Sequence, residues 1–121
     1  MNYHERKDYI TQVESEVIRA CAKHDRVCDF FVDPNKGLKD VSENLAELRS
    51  INDERERSGG ATFSGIIAEE LMEAYEAYIA GDLNNCINEL AQVAAVAVRG
   101  MDFVYRQTIE FKTKEKYKER L

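Results

Sequence analysis

The sequence lacks tryptophan, has a single proline and has no histidine beyond His24. Di-iron carboxylate bundles use Glu-x-x-His motifs, so the scarcity of histidine argues against ferritin-like oxidation chemistry. There is also no Gly-rich phosphate loop and no Ser/His/Asp arrangement to nominate for nucleophilic catalysis. No stretch approaches the roughly 20 uninterrupted apolar residues of a membrane span. These absences argue against several common enzyme classes and against a membrane-spanning protein.

Basic residues are in deficit, since 17 lysines and arginines stand against 23 acidic residues and give a formal net charge of −6. Duplex DNA and anionic membranes both need a concentrated basic patch, and no basic-aromatic groove for RNA is present in the sequence. We therefore expect neither a nucleic-acid nor a membrane partner. An acidic protein can still bind phosphates through a divalent cation.

Cysteine is scarce, with three residues at positions 21, 28 and 86 that show no paired spacing. The N-terminus does not resemble a signal peptide, so we expect reduced thiols and a cytoplasmic location. Cys86 has no histidine or second cysteine near it in sequence, which predicts a core position and not a catalytic or zinc-binding one.

Helix-forming residues are abundant. The chain of 121 residues is rich in alanine, glutamate and leucine, and its six glycines lie mostly between periodic segments. Length and composition predict one all-α domain over residues 1–121.

Apolar periodicity predicts four helices, the first two over about residues 5–24 and 41–57. Phe30 and Phe31, in the loop between them, are expected to plug an edge of the core.

The third helix is predicted to begin after Thr62, its N-cap, and to end at Gly81, with Asp82 capping the fourth. So short a connection makes the third and fourth helices antiparallel neighbours. The charged segment 110–121 either extends the fourth helix or frays from it.

Three glutamates lie where apolar residues would pack better. Glu70 and Glu73 fall within the apolar stripe of the third helix, and Glu89 takes a comparable position on the fourth. Burying an ionised carboxylate costs roughly several kcal/mol unless it is paired or binds a metal. Pairs at i and i+3 on antiparallel neighbours can converge, so these acids and Gln92 form a candidate oxygen-only site. Mg²⁺ and Mn²⁺ suit such ligands, and phosphates suit those cations.

The spacing Glu70-x-x-Glu73 followed by Glu89-x-x-Gln92 resembles the ExxE…ExxD signature of the MazG-like all-α nucleoside triphosphate pyrophosphohydrolases. The stretches Ala-Glu-Glu-Leu-x-Glu-Ala and Glu-Leu-Ala-Gln-Val-Ala-Ala-Val-Ala-Val also resemble small members of that family, often met in phages and actinobacteria. The likeness covers residues 63–103, within a motif-bearing core over 62–104. Together with the short connection between the third and fourth helices, it implies a MazG-like helical bundle with a central antiparallel helix pair.

The resemblance implies a Mg²⁺-dependent enzyme, with Mn²⁺ as an alternative, that hydrolyses an NTP or dNTP to the monophosphate and pyrophosphate. It implies metal ligation by Glu70, Glu73 and Glu89, and a location in the host cytoplasm if the protein is phage-encoded. Gln92 stands where the signature has Asp. Its carbonyl oxygen is neutral and lowers the site's charge by one, so we expect weaker metal binding in the absence of nucleotide.

Each candidate also has a structural interpretation. Glu70, Glu73 and Glu89 could pair with basic side chains on a neighbouring helix, and Gln92 could make a structural hydrogen bond. Glu69 and Glu73 are the candidate catalytic carboxylates, with Glu69 either a ligand or the base that deprotonates the attacking water, or else a solvated edge residue.

Two further groups are ambiguous. Side chains beyond the motif on the fourth helix could touch phosphate or metal, but salt bridges are favoured: Arg99, Asp102 and Arg106. Aromatic residues on the third helix could stack on a base, but core positions are favoured: Phe63, Tyr75 and Tyr78.

The fourth helix is apolar around most of its circumference over residues 93–98. Because the other helices offer too little apolar surface to cover it, and because MazG-like proteins pair their helices across subunits, we expect a homodimer or homotetramer with this helix near the symmetry axis. Two alternative functions stay open: a non-catalytic MazG-like module for nucleotide binding or helical assembly, and a purely structural bundle.

Overall fold

The computed structural model describes residues 1–120, with side chains described for residues 1–116. This part of the chain contains four helices and no strand: α1 (Tyr3–Lys23), α2 (Leu38–Ser58), α3 (Phe63–Ile79) and α4 (Leu83–Arg120). The predicted all-α class is therefore confirmed. No helix in the described residues combines the length and the apolar character needed to cross a bilayer.

Two compact units divide the chain. The first unit consists of Met1–Asp25 together with α4 from Ala97 onward, and the second unit is Arg26–Val96. The second unit therefore contains α2, α3 and the first part of α4, which carry every residue of the predicted metal site.

The start of α1 is fixed by a capping box that the sequence prediction overlooked. The Glu5 backbone N–H donates to Asn2 Oδ1 at 2.9 Å, and the Asn2 backbone N–H donates to Glu5 Oε1 at 3.2 Å. Because this reciprocal pair satisfies two N–H groups that a helix start leaves free, α1 begins at Tyr3, earlier than predicted.

The connection between α3 and α4 is the predicted tight turn. Gly81 has φ 78°, a left-handed conformation that glycine adopts without strain. The Asp82 backbone N–H donates to Ala77 O at 3.0 Å, and Asp82 Oδ1 accepts from the Asn85 N–H at 3.3 Å. Gly81 thus ends α3 and Asp82 caps α4, as expected.

The other end of α3 is capped by Thr62, whose hydroxyl oxygen accepts from the Gly65 backbone N–H at 3.2 Å. This contact confirms the predicted N-cap.

Small side chains bring α3 and α4 together in the second unit. Ala74, Ala77 and Cys86 form a buried cluster, and Phe30 packs against it. Ala77 meets Cys86 close to the turn, so residues earlier in α3 meet residues later in α4 and the pair is antiparallel. The core position predicted for Cys86 is confirmed.

Four aromatic rings pack against one another in the second unit. Phe30 stacks on Tyr78 with ring centroids 4.2 Å apart, and Phe31 meets Tyr75 edge to face at 4.9 Å. The loop aromatics therefore cover an edge of the core as predicted, and Tyr75 and Tyr78 are their packing partners.

In the first unit, α1 and the later part of α4 meet at Asp102. Tyr9 donates its hydroxyl to Asp102 Oδ1 at 3.1 Å, and Arg106 Nε donates to Asp102 Oδ2 at 3.0 Å. Arg106 also reaches Glu5 at 3.0 Å. The salt bridges favoured for Asp102 and Arg106 are therefore present.

Candidate metal centre

Three glutamates converge between α3 and α4. Glu70 and Glu73 lie one helical turn apart on α3, and Glu89 lies on the facing side of α4. Each offers a carboxylate oxygen within 4.8 Å of the other two, and all three residues are half-buried. The structure thus brings together the three acids that helical spacing had suggested would meet; we call them the acidic triad.

The triad leaves polar atoms without partners. Glu70 Oε2 and Glu89 Oε2 are both buried, and neither has a hydrogen-bond partner among the described residues. Buried carboxylate oxygens are normally satisfied because desolvation without a replacement bond is costly. An unsatisfied pair of such oxygens facing a third carboxylate is the environment that a bound cation would complete.

Burial and neighbouring negative charge also shift the pKa values of two members of the triad, Glu70 and Glu73. Burial, followed by the charge of Glu73, raises the pKa of Glu70 above its ordinary value. Burial, followed by the hydrogen bond and charge of Glu89, raises the pKa of Glu73, while Arg49 opposes that rise. Metal binding would therefore compete with protons at this site.

The donor set fits Mg²⁺ or Mn²⁺. Three carboxylate oxygens are hard ligands, and Mg²⁺ commonly keeps several waters in addition to a few protein carboxylates. No thiol or imidazole belongs to this set, so the site has none of the soft ligands that would favour zinc or copper.

Side chains of α2 reach the acidic residues of α3 and were missed by the sequence analysis. Arg49 Nη2 lies 3.4 Å from Glu73 Oε1, and Ser42 Oγ donates to Glu76 Oε2 at 3.0 Å. The missed signal was their spacing: a seven-residue separation places Ser42 and Arg49 on the same face of α2, beside its apolar stripe.

Asn52, also on that face of α2, contacts both backbone and side chain of α3. Its Nδ2 donates to Gly65 O at 3.0 Å and to Glu69 Oε1 at 3.1 Å. The helices approach so closely here that a Cβ on residue 65 would run into the Asn52 carboxamide. Asn52 therefore holds Glu69 in one orientation relative to α3.

The ion-pair interpretation of the triad holds only in part. Glu73 does pair with a cation from a neighbouring helix, Arg49, across a contact of 3.4 Å. That guanidinium supplies one positive charge against three carboxylates. The orphaned oxygens of Glu70 and Glu89 are not accounted for by this pair.

A groove of about 340 Å³ begins at the triad. Its volume is within the roughly 300–1,000 Å³ typical of small-molecule sites. The lining residues combine four acids with one cation and three small or neutral side chains: Arg49, Glu73, Glu76, Ala77, Ala80, Asp82, Asn85 and Glu89. The lining of this groove is therefore mostly acidic.

The remaining candidates lie outside this groove. Gln92 is exposed, one turn beyond Glu89. Glu69 accepts a hydrogen bond from Asn52. Tyr75 and Tyr78 lie on the opposite side of α3 from Glu73, as the 100° rotation per residue requires. Ligation by Gln92 and catalysis by Glu69 and Glu73 stay predictions.

No family model, curated protein or solved structure matches this chain. The resemblance to MazG-like enzymes therefore rests on the motif and its spacing, and function has to be argued from the triad and its groove.

Proposed function

We propose that this protein is a Mg²⁺-dependent nucleoside triphosphate pyrophosphohydrolase that acts on an NTP or dNTP. The observation that carries the proposal is the acidic triad, in which three half-buried carboxylates converge and two of their oxygens have no hydrogen-bond partner among the described residues. The adjoining groove supplies space for a triphosphate beside the cation. A cytoplasmic location and a family relation to MazG-like enzymes belong to the same proposal.

In this proposal Glu70, Glu73 and Glu89 would hold the cation, and Gln92 would offer a neutral carbonyl oxygen as a weaker fourth donor. When bound, Mg²⁺ neutralises phosphate charge and orients the triphosphate. Water attacks the α-phosphorus, the bond to the α/β bridging oxygen breaks, and the products are the nucleoside monophosphate and pyrophosphate. Glu69 or Glu73 accepts the proton of that water, with Asn52 orienting Glu69.

Release of pyrophosphate is the direct test. With Mg²⁺ or Mn²⁺, the purified protein should release pyrophosphate from at least one canonical or modified triphosphate, and Glu89→Gln should reduce the rate by about 100-fold or more. Glu47→Gln, an exposed change on α2, is the matched control and should retain activity. A full substrate panel without product, at enzyme levels that detect slow turnover, would reject the hydrolase.

The second candidate is a non-catalytic module that binds nucleotide. It is favoured by Gln92, which replaces the signature Asp and lies exposed outside the groove. Such a module would bind Mn²⁺ and nucleotide together by calorimetry and yet release no pyrophosphate from the same panel.

We also propose homodimeric or homotetrameric assembly through α4. In the second unit, Leu83, Ile87 and Leu90 recur at spacings of four and three residues and are 57 %, 65 % and 38 % exposed. Spacing of this kind forms the seam of paired helices, and an apolar stripe on one face is typically covered by another element. The 93–98 segment also exposes apolar side chains: its alanines are exposed, and Val93, Val96 and Val98 are only half-buried.

The assembly proposal is tested by Ile87→Lys, which places a charge in the middle of the stripe. We expect light scattering at micromolar concentration to give more than one chain for the original protein and a smaller species for the variant. Asn88→Lys adds the same charge beside the stripe and should leave the mass unchanged. A folded, stable species of one chain in the original protein would reject assembly.

A further inference from the structure

Arg49 occupies a position that its ion pair with Glu73 does not fully explain. The 3.4 Å contact is longer than the about 2.7–2.9 Å of a strong charge-assisted hydrogen bond. The Arg49 side chain is also 51 % exposed, and ion pairs at that exposure add little to stability. The guanidinium is therefore held loosely at the rim of the triad.

The groove gives Arg49 a second set of neighbours. Arg49 is the cation among lining residues that include Glu73, Glu76, Asp82 and Glu89. A lone anion entering here would meet mostly like charge. An anion that arrives with a divalent cation has two positive centres to bind, the cation at the triad and the guanidinium beside it.

Glu73 links these two centres. Its carboxylate belongs to the triad and is also the acceptor of Arg49. A cation on the triad neutralises Glu73 and so weakens its attraction for Arg49. The guanidinium is then available to an anion in the groove.

The position of α2 around Arg49 does not depend on the Arg49 side chain. Val41 and Leu45 are fully buried, and Ser42 and Asn52 keep their hydrogen bonds to α3 on either side of Arg49. Rotation of the Arg49 side chain therefore requires no movement of α2.

We propose that Arg49 is the anion-binding residue of the groove: it pairs with Glu73 in the metal-free protein and transfers to a phosphate group of a polyphosphate once a divalent cation occupies the triad. The planar guanidinium can donate two parallel hydrogen bonds to phosphate, which a lysine cannot reproduce. A polyphosphate is the ligand class because neighbouring phosphates can contact the cation and Arg49 at the same time. The inference rests on the proposed function, whose substrate it places in the groove.

Calorimetry with two probes tests this role: Mn²⁺ alone, and inorganic tripolyphosphate in saturating Mn²⁺. Arg49→Ala should bind Mn²⁺ alone as tightly as the original protein or a few-fold more tightly, since a competing cation has been removed from Glu73. Its affinity for tripolyphosphate should fall about tenfold or more, because charge-assisted bonds to phosphate are lost. Arg49→Lys should recover part of that loss.

Arg57→Ala is the matched control, since Arg57 also lies on α2, pairs with Glu54 at 2.9 Å and is 71 % exposed. It should change neither affinity. Unchanged tripolyphosphate binding in Arg49→Ala would overturn the proposal, and so would a parallel loss of Mn²⁺ binding, which would show that Arg49 only supports the triad.

The two proposals fail separately. Tripolyphosphate binding that depends on Arg49, without pyrophosphate release from any triphosphate, rejects the hydrolase and supports the role of Arg49. Pyrophosphate release together with Arg49-independent tripolyphosphate binding rejects the role of Arg49 alone.

Discussion

Two carboxylate sites, one in each compact unit, differ in whether their oxygens have hydrogen-bond partners. Asp102 in the first unit is 9 % exposed, and each of its oxygens accepts a hydrogen bond, from Tyr9 and from Arg106. In the second unit, Glu70 and Glu89 each retain a buried oxygen with no hydrogen-bond partner in the described part of the chain. Each oxygen of the first site has a donor, whereas the second site leaves two buried oxygens that the proposed cation would satisfy.

The pKa shifts at the two sites also have opposite directions. Burial alone would raise the pKa of Asp102, but the hydrogen bonds from Arg106 and Tyr9 outweigh it and lower that pKa. At the triad, burial and neighbouring carboxylates raise the pKa of Glu70 and of Glu73. The pKa of a buried acid is therefore lowered where hydrogen-bond donors surround it and raised where its nearest neighbours are other acids.

The largest effect expected from this comparison is a pair of opposite shifts in thermal stability. In a chelator, Glu70→Gln should raise the melting temperature because it removes charge from the crowded triad. Asp102→Asn should lower it because Arg106 loses one of its two carboxylate partners and keeps only Glu5. Thermal unfolding by circular dichroism measures both, with the exposed Glu47→Gln as control.

Added Mn²⁺ sharpens the contrast. It should raise the melting temperature of Asp102→Asn, whose triad is intact, and should raise that of Glu70→Gln much less. Shifts in the same direction for both variants without metal would contradict the distinction between a complete and an incomplete site.

The elements that could be predicted are those set by neighbouring residues. The caps at Thr62 and Asp82 and the turn at Gly81 depend on local chemistry, and the convergence of the triad follows from helical rotation once that turn is known. The capping box at Asn2 was equally local, since an Asn three residues before a Glu is a recognised pattern, and was simply overlooked.

Contacts between distant elements could not be predicted in this way. Arg49 and Asn52 reach α3 only because of the rotation of α2 about its own axis, which apolar periodicity alone does not fix. Apolar periodicity also could not predict the boundary between the two compact units at Val96, because α4 continues as one helix across that boundary.

A smaller effect is expected from pH. The raised pKa values of Glu70 and Glu73 mean that their contribution to stability is fully present below the ordinary glutamate value of 4.5 and is lost as pH rises through the raised values. The lowered pKa of Asp102 gives a contribution that is present above 3.8 and is lost as pH falls through the lowered value.

Metal-free protein should therefore be more stable in mildly acidic buffer than at neutral pH. Denaturant unfolding across this range, with chelator present, measures the profile. Glu70→Gln should flatten its descending side, whereas Asp102→Asn should leave that side unchanged. A profile that rises steadily from mildly acidic to neutral pH would contradict the raised pKa values of Glu70 and Glu73.

The smallest expected effect comes from Gln92→Asp, which restores the charged oxygen of the family signature. If the side chain faces the cation, divalent binding without nucleotide should tighten by on the order of 1 kcal/mol or more, because a neutral carbonyl has become a carboxylate. Gln92 is exposed, one turn from Glu89, so an aspartate there incurs little desolvation. Asn88→Asp adds the same charge to the same helix and is the control for a general electrostatic attraction. Calorimetric Mn²⁺ affinity that changes equally in both variants, or in neither, would place residue 92 outside the ligand set and leave the cation to Glu70, Glu73 and Glu89.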